Sequence, residues 1–354
     1  MAKPFLVTVA PHLHGGTSVK SVMWNVVVAL IPALLAGVYF FGIEALILTC
    51  YGVMSAIMTE AIILAFRKKT ITISDGSAVV TGLLVSFNVH TGVPWWIPVV
   101  GSAFAIAIGK HVFGGLGHNI VNPALLGRVF LVVSWPAIMT GNWQKTVMNS
   151  INGLSNQSLL DLPEQITGAT PLAVLETLQD TVFIESLGEN ARVISESLYQ
   201  EMISFPTLLN TFLGNIGGCI GEISAIALLL GGFYLLSKKI IEWRIPFFYL
   251  FTVAVLTYLL GGYDGFMSAS YNLPLFHILS GGLLLGALFM ATDPVTSPVS
   301  KKGRILFGIG CGLITVIIRL YGAYPEGVSF AILIMNLLVP LIDKFTYSRP
   351  FGKK

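Results

Sequence analysis

Long runs of apolar residues are the feature that most constrains how this chain can fold. Hydrophobic residues make up 55% of its 354 residues and charged residues only 10%, whereas a soluble domain carries about 25% charged residues. A run of about 20 apolar residues can cross the hydrocarbon core of a bilayer as a helix, because a helix pairs its own backbone polar groups. The sequence therefore predicts an all-α polytopic membrane protein.

Ten apolar segments can be distinguished, so we expect about ten transmembrane helices. The third, seventh and eighth segments are short for a full crossing, and we expect tilted or broken helices there. The segments span 22–41, 44–66, 76–89, 95–112, 121–139, 208–236, 246–261, 275–291, 304–320 and 327–343.

Basic residues predict the orientation of these helices. They cluster before the first segment, after the second, sixth and eighth segments, and at the C-terminus. With ten crossings all of these clusters fall on one side, toward which Lys110 and Arg128 also fall. Because basic residues are enriched in cytoplasmic loops, we expect both termini in the cytoplasm. The polar 140–206 loop, which carries eight acidic and two basic residues, is then expected outside.

A weak internal repeat supports this layout. Three short matches keep their order along the chain, at offsets of 195, 200 and 207 residues. They predict two units of five helices, and because five is an odd number the second unit is inverted relative to the first. Such folds place functional sites where the halves meet, often beside broken helices. The expected boundaries are 1–21 for a cytoplasmic N-terminal segment, 22–139 for the first repeat, 140–206 for the loop, 207–343 for the second repeat and 344–354 for a cytoplasmic tail.

The segment Thr167-Gly168-Ala169-Thr170-Pro171 lies in the long polar loop. Thr170 followed by Pro171 and an apolar stretch predicts a helix start, with Thr170 as the N-cap and Pro171 as the first helical residue. The unpaired N–H groups and the positive dipole end of a helix start suit a phosphate group. An ordinary capped helix is the alternative interpretation of the same residues.

Acidic residues inside or beside the apolar segments are candidates for an ion path, because a charge in a bilayer is costly. Glu222 lies near the middle of the sixth segment, among glycines that permit close helix packing. Glu60 lies in the second segment, where pairing with Arg67 or Lys68 is an equally good explanation. Two further candidates at segment edges, for which a helix cap is the alternative, are Asp75 and Asp293.

A glycine-rich segment with two asparagines joins the fourth and fifth apolar segments. Asn119 and Asn122 are three residues apart, and if Asn122 opens a helix both side chains can point to one face. Two amides on one face suit a planar heterocycle with alternating donors and acceptors, such as an isoalloxazine. A glycine-rich turn with an asparagine N-cap is the simpler interpretation of this spacing.

The three cysteines, Cys50, Cys219 and Cys311, lie far apart in apolar runs. The sequence contains no Cys-x-x-Cys motif and no cysteine–histidine pairing, so we expect no metal site, neither zinc nor iron–sulfur, built by this chain alone.

Together these motifs resemble the family shared by the D subunit of the Rnf complex and the B subunit of the sodium-translocating NADH:quinone reductase. The resemblance extends over nearly the whole chain, and the short N-terminus is closer to that of the Rnf protein. Glu164 departs from the family pattern, which has Asp three residues before Thr167. The segments that carry the resemblance are Pro11–Gly15, Met23–Asn25, Asn119–Pro123, Thr167–Pro171, Gly221–Ser224 and Ala291–Pro294.

The resemblance implies two flavins. FMN would be attached through its phosphate to Thr170 by a flavin transferase, and the N–H groups of the helix start at Leu172 would hold the phosphate. A non-covalent riboflavin would lie at Asn119 and Asn122. The remaining residues implied at the attachment site are Thr167, Gly168 and Ala169.

The resemblance also implies a component of an ion-motive ferredoxin:NAD oxidoreductase of the bacterial plasma membrane, which is not catalytic alone. Its implied partners are membrane lipid and the Rnf subunits A, B, C, E and G, with the flavin-bearing G subunit nearest; no nucleic acid is expected. Electrons would pass between flavins, coupled to movement of Na⁺ or H⁺ past acidic residues. The candidates for that path are Glu222, Glu60, Asp293 and Asp75.

Three other functions compete with this interpretation. A homologue of the quinone-reductase B subunit has the same motifs. A solute permease also uses inverted five-helix repeats, and a scaffold for partner subunits would need no redox group. A covalent flavin on Thr170 would separate the redox protein from the permease and the scaffold, since neither requires one.

Overall fold

The computed structural model describes residues 18–69, 73–141, 170–179, 199–214, 217–261, 271–322 and 326–346. Within these ranges every regular element is a helix, in agreement with an all-α membrane protein. The helices are α1 Val19–Phe41, α2 Ile43–Phe66, α3 Ser77–Phe87, α4 Trp96–Phe104, α5 Pro123–Ser134, α6 Pro136–Thr140, α7 Pro171–Gln179, α8 Phe205–Leu213, α9 Ala225–Ser237, α10 Arg244–Leu260, α11 Asn272–Leu279, α12 Leu283–Met290, α13 Lys301–Tyr321 and α14 Val328–Thr346. A short 3₁₀ helix, Ile73–Asp75, precedes α3, and α4 continues as a π-helix, Ala105–His111, which carries Lys110.

Four of these helices, α1, α2, α13 and α14, are long and apolar enough to cross a membrane, and α11 with α12 would make a fifth crossing. The remaining predicted segments form shorter or interrupted helices in the described ranges. The chain is thus a multi-pass membrane protein by its helices, and the number of ten crossings stays a prediction.

Local sequence explains where several helices begin. Ser18, Ser224 and Ser300 precede α1, α9 and α13, and the hydroxyl of each accepts the N–H of the residue three positions on. Such an N-cap satisfies one of the four N–H groups that have no partner within the helix.

The sixth predicted segment, 208–236, is not one helix. Residues 217–224, between α8 and α9, are non-helical, so Glu222 lies in a break and not in the middle of a helix as predicted. The glycines of this stretch allow a close approach to the end of α3, since a Cβ on Gly221 would lie 2.3 Å from Cβ of Phe87. There the N–H of Ile220 donates to the carbonyl of Val89, and that of Gly221 to the carbonyl of Phe87.

The eighth predicted segment is broken, as expected. α11 and α12 are bent by 66° relative to each other. At the bend, Gly281 and Gly282 have φ of +66° and +65°, a left-handed conformation that glycine adopts without steric strain.

The two halves of the chain pack on each other through α1 with α9 and through α5 with α14. In the first half α2 packs on α3 and α4, and in the second half α10 packs on α11 and α13. Small residues permit the closest contact, because a Cβ on Gly231 would lie 2.1 Å from the carbonyl oxygen of Ala29. The inverted relation of the halves and the predicted domain boundaries stay predictions.

Candidate functional site

Three interruptions of helices meet where the two halves pack together. They are the end of α3 at Phe87–Val89, the break at 217–224, and the bend at 280–282 between α11 and α12. Helix ends carry N–H and C=O groups without intrahelical partners, and polar side chains gather around these three. We call the side chains of the following residues the central cluster: Asn88, Arg128, Cys219, Glu222 and Glu326.

Arg128, on α5, is the cation of the central cluster and is only 6% exposed. Its Nη1 donates to Oδ1 of Asn88 and lies 3.3 Å from Oε1 of Glu222, while its Nη2 contacts Oε2 of Glu326. Nδ2 of Asn88 donates in turn to the carbonyl of Leu84 at 2.5 Å. The guanidinium therefore joins the first half of the chain to two carboxylates of the second half.

Two carboxylates thus surround one guanidinium. Glu222 is buried, and the side chain of Glu326 is 18% exposed. Breaking a buried ion pair by removing one partner leaves an uncompensated charge and costs about 3–5 kcal/mol. The central cluster therefore links the two halves of the chain. It also contains a carboxylate, that of Glu222, which lies farther from Arg128 than the carboxylate of Glu326 does.

Cys219 completes the central cluster. Its Sγ and carboxylate oxygens of Glu222 and Glu326 lie within 4.8 Å of one another, a spacing that metal ligands also have. Because Arg128 contacts both carboxylates, its single positive charge occupies the position of a metal ion and offsets the charge of one of the two.

Glu222 also packs against the bend in the second half. A Cβ on Gly282 would lie 2.5 Å from Oε1 of Glu222. Position 282 therefore requires glycine for two reasons, its left-handed backbone and the space that the carboxylate takes up.

Arg319, on α13, stabilises the same bend. Its Nη1 donates to the carbonyl of His277 at 2.5 Å, and its Nη2 to the carbonyls of Ser280 and Gly281 at 3.0 and 3.2 Å. Its Nε donates to the carbonyl of Glu326 at 3.2 Å. A cation is favoured at the end of α11, where carbonyls are unpaired and the helix dipole is negative. Arg319 thus ties the bend to the segment that carries Glu326.

The sequence did not identify all of these residues. Arg128 and Lys110 were expected with the cytoplasmic charges, but both side chains are buried because each is neutralised by a carboxylate. A charged residue within an apolar segment is the signal that could have singled them out. Glu326 borders the last predicted segment and carries no such signal.

A second set of polar side chains, which we call the Lys110 chain, lies in the first half. Nζ of Lys110 donates to Oε1 of Glu60 at 2.7 Å and to Oγ of Ser77 at 2.6 Å, and Oγ of Ser77 donates to Oδ1 of Asp75 at 2.7 Å. Lys110 and Glu60 are 2% and 1% exposed, whereas Asp75 is half-buried. The chain therefore leads from a partly exposed carboxylate to a fully buried one.

These contacts show what Glu60 and Asp75 do in the fold. Glu60 pairs with Lys110, and the predicted pairing with Arg67 or Lys68 is wrong: both basic residues lie beyond the end of α2 and are exposed, whereas Glu60 faces the interior. Asp75 was predicted as a helix cap; it lies one residue before Gly76, the N-cap of α3, and its Oδ1 also accepts the N–H of Ser77, the first residue of that helix.

A cavity between the halves borders the Lys110 chain and contains both asparagines in its wall, together with Ser77, Lys110 and Asp293. Asn122 caps α5, since its Oδ1 accepts the N–H groups of Ala124 and Leu125, and its Nδ2 donates to the carbonyl of Met290. Oδ1 of Asn119 is buried and has no partner among the described residues. Asn119 is therefore the amide that is free to bind a ligand.

Asp293, in the wall of the same cavity, stabilises a turn and not a helix. Its Oδ1 accepts the N–H of Val295 and its Oδ2 accepts the hydroxyl of Thr296, both at 3.2 Å. Burial raises the pKa of the Asp293 carboxyl, and these two hydrogen bonds oppose the rise.

Thr170 stands at the start of α7. Its hydroxyl accepts the N–H of Ala173 at 3.3 Å, and its carbonyl accepts that of Val174 at 3.0 Å. Thr170 and Leu172 are both buried, and Leu172 packs with Leu175 against residues of the second half, including Phe276 of α11. The other residues of the motif, Thr167, Gly168 and Ala169, lie outside the described residues.

Comparison with known proteins identifies relatives along the whole chain. The sequence profile of the NQR2, RnfD, RnfE family matches residues 6–352. The chain is 47% identical over 348 residues to the D subunit of the Na⁺-translocating ferredoxin:NAD⁺ oxidoreductase complex of Acetobacterium woodii, and the match covers 98% of this chain and 95% of that protein.

Two further relatives bear similar names. The D subunit of the proton-translocating ferredoxin:NAD⁺ oxidoreductase complex of Clostridium ljungdahlii is 43% identical over 350 residues, with 99% of this chain and 97% of that protein covered. The D subunit of the ion-translocating oxidoreductase complex of Stutzerimonas stutzeri is 40% identical over 346 residues, with 95% and 93% covered.

Proposed function

The chain belongs to the NQR2, RnfD, RnfE family, and from this premise we propose that it is the flavin-carrying membrane subunit of an ion-translocating ferredoxin:NAD⁺ oxidoreductase. The observation that carries the proposal is the similarity, along nearly the full length, to the D subunits of three ion-translocating oxidoreductase complexes. The two relatives with the highest identity above are named for different ions, Na⁺ and protons, so the ion itself is left open.

The start of α7 fits the phosphate of an FMN esterified to Thr170. α7 is nine residues long, so the positive end of its dipole favours an anion at Thr170. The N–H of Ala173 donates to Oγ1 of Thr170, the atom that a flavin transferase would esterify, so the N–H groups at Leu172 and Ala173 would lie beside the phosphate and hold it. Bound FMN would supply electron transfer in steps of one or two electrons.

The polar groups in the wall of the cavity between the halves support a second, non-covalent flavin there. Asn119 contributes an amide oxygen without a partner among the described residues, and Lys110 and Ser77 contribute further polar groups to the same wall. Asn122 holds the start of α5 in place, so its contribution would be to shape the cavity. These groups would bind and orient a riboflavin.

Two acidic groups support the proposed ion path. Glu222 is buried at the meeting of three helix interruptions, and Glu60 ends the Lys110 chain with an Oε2 that has no partner in the described part of the protein. A cation that passes such carboxylates compensates for the charge of an electron that moves in a medium of low dielectric constant. Asp293 and Asp75 are the other two candidates for this path, and both are more exposed than Glu222 and Glu60.

The proposal includes a location and partners. The protein would lie in the bacterial plasma membrane with both termini in the cytoplasm and the 140–206 loop outside, where Thr170 would exchange electrons with the flavin-bearing G subunit. The other partners would be the A, B, C and E subunits of the same complex.

Fluorescence of denatured protein on a gel tests the proposed covalent flavin. The chain is co-expressed with a flavin transferase as wild type, as Thr170→Ala, and as Thr177→Ala, which removes a hydroxyl from the same helix away from its start. We expect a fluorescent band in the wild type and in Thr177→Ala that is absent from Thr170→Ala. A dark wild-type band, in cells where the transferase labels a known substrate, would contradict the proposal and favour a permease.

A further inference from the structure

Two consecutive glycines separate the Thr170 helix from Glu222. A Cβ on Gly281 would lie 2.9 Å from Cδ2 of Leu172, and a Cβ on Gly282 would lie 2.5 Å from Oε1 of Glu222. Leu172 is two residues beyond the proposed flavin-bearing threonine. Two parts of the proposed mechanism therefore lie against neighbouring residues of one turn. The helix start that would carry the flavin contacts Gly281, and the carboxylate of the proposed ion path contacts Gly282.

The turn is also held from a third side. Nη2 of Arg319 would lie 2.9 Å from a Cβ on Gly281, and Arg319 binds the carbonyls of the turn and that of Glu326. Glu326 contacts Arg128, which in turn contacts Glu222. The contacts form a closed ring, so a displacement of the turn changes the position of Glu222 both directly and through the ion pairs.

Close packing makes this ring sensitive to small movements. A packed interior has low compressibility and transmits strain, and small shifts are amplified where a packed element has two discrete arrangements. Gly281 and Gly282, both with left-handed φ, can supply such an element, because glycine also reaches backbone conformations that are closed to other residues.

We propose that the Gly281–Gly282 turn couples the proposed flavin site at Thr170 to Glu222. This inference rests on the proposed function. A change at the start of α7 moves Leu172, Leu172 displaces Gly281, and Gly282 alters the contact of Glu222 with Arg128. Since coupling between two sites is reciprocal, the occupancy of Glu222 by a cation also shifts the flavin's midpoint potential.

The experiment uses the whole complex in sealed proteoliposomes and measures ions moved per electron, with covalent flavin quantified on a gel. Gly282→Ala adds a methyl group against Glu222. Its control is Gly115→Ala, which also has a positive φ, +109°, but has no atom within 4 Å of the added methyl. Backbone strain is thereby separated from the contact with Glu222.

A second pair keeps the test decisive if Gly282→Ala does not assemble. Leu172→Ala removes the side chain that touches Gly281, and Leu175→Ala removes an equally buried leucine of the same helix that is absent from the nearest contacts of Gly281. Neither change affects the hydroxyl of Thr170.

We expect Gly282→Ala and Leu172→Ala to lower ions per electron by about two-fold or more, the lower range for mutations along a coupling network. The two control variants should keep the wild-type ratio, and the dependence of the flavin's midpoint potential on Na⁺ or pH should weaken in the two test variants alone. Equal ratios in test and control variants overturn the coupling. A wild type without covalent flavin refutes the proposed function instead.

Discussion

Arg128 is bonded to an amide and two carboxylates that come from three separate segments of the chain. Its guanidinium presents several N–H groups in one plane and stays charged when buried, which suits a side chain that must serve several acceptors at once. Arg128 therefore determines how much negative charge the central cluster can hold. Two predictions test the residues of the central cluster.

Arg128→Gln should destabilise the protein by about 3–5 kcal/mol, because Glu222 and Glu326 would lose their buried counter-charge. The double variant Arg128→Gln/Glu326→Gln should recover part of this loss, since it removes one uncompensated carboxylate. Thermal unfolding of the purified complex in detergent measures both effects. No recovery in the double variant would show that Arg128 acts through its shape and not its charge.

Glu222→Gln should lower the number of ions moved per electron, because a neutral amide of the same size cannot attract a cation. Glu44→Gln, an exposed substitution at the start of α2, is the matched control. Both variants are compared in proteoliposomes with the same electron donor and acceptor. An unchanged ratio in Glu222→Gln would remove Glu222 from the ion path.

At the scale of secondary-structure elements, the central cluster lies where helices are interrupted, and the long helices hold these interruptions in place. The continuous helices were predictable because their apolar runs are long and their caps are local: α13 covers the predicted segment 304–320, and α14 begins one residue after the start of the predicted segment 327–343 and extends beyond its end. The helix start at Thr170 was predictable for the same reason. The break at 217–224 was not, because Cys219 and Ile223 keep the pattern apolar through it.

The sequence also could not predict which charged residues form ion pairs with each other. Glu60 and Lys110 are 50 positions apart, and Arg128 and Glu222 are 94 apart. Such pairs depend on how the helices pack, whereas the sequence favours the nearest opposite charge, which for Glu60 was the wrong one.

The close packing of the break before α9 requires glycine at position 221 but not at position 217. Gly221→Ala would place a methyl group 2.3 Å from Cβ of Phe87, and overpacking of this kind costs about 1–3 kcal/mol. Gly217→Ala in the same break meets no atom within 4 Å and should change stability by less than about 0.5 kcal/mol. Thermal unfolding of both variants checks this, and an equal loss in the two would mean that the break needs flexibility and not space.

At the scale of the whole molecule, the predicted orientation places the 140–206 loop, with Thr170, and the basic loops on opposite sides of the membrane. Single cysteines in a background without the three native cysteines test this with a membrane-impermeant maleimide. We expect Glu201→Cys to react in intact cells and Lys68→Cys to react only in inverted vesicles, because the first lies in the 140–206 loop and the second in a basic cluster. The opposite pattern would invert the orientation, and labelling of both on one side would change the number of crossings between them.

The two main-chain hydrogen bonds from Ile220 and Gly221 to Val89 and Phe87 have a mechanical consequence. Inverted-repeat transporters commonly alternate access by rocking one half against the other, but here rocking would break two backbone hydrogen bonds between residues that are buried in the protein. The halves would instead form a fixed frame, in which only side chains and the glycine turn move. The hydroxyl of Tyr234, on α9, donates to Oδ1 of Asn25, on α1, at 2.6 Å. A short cross-link between cysteines placed at these two positions should then leave ion transport intact, whereas it would stop a transporter that works by rocking.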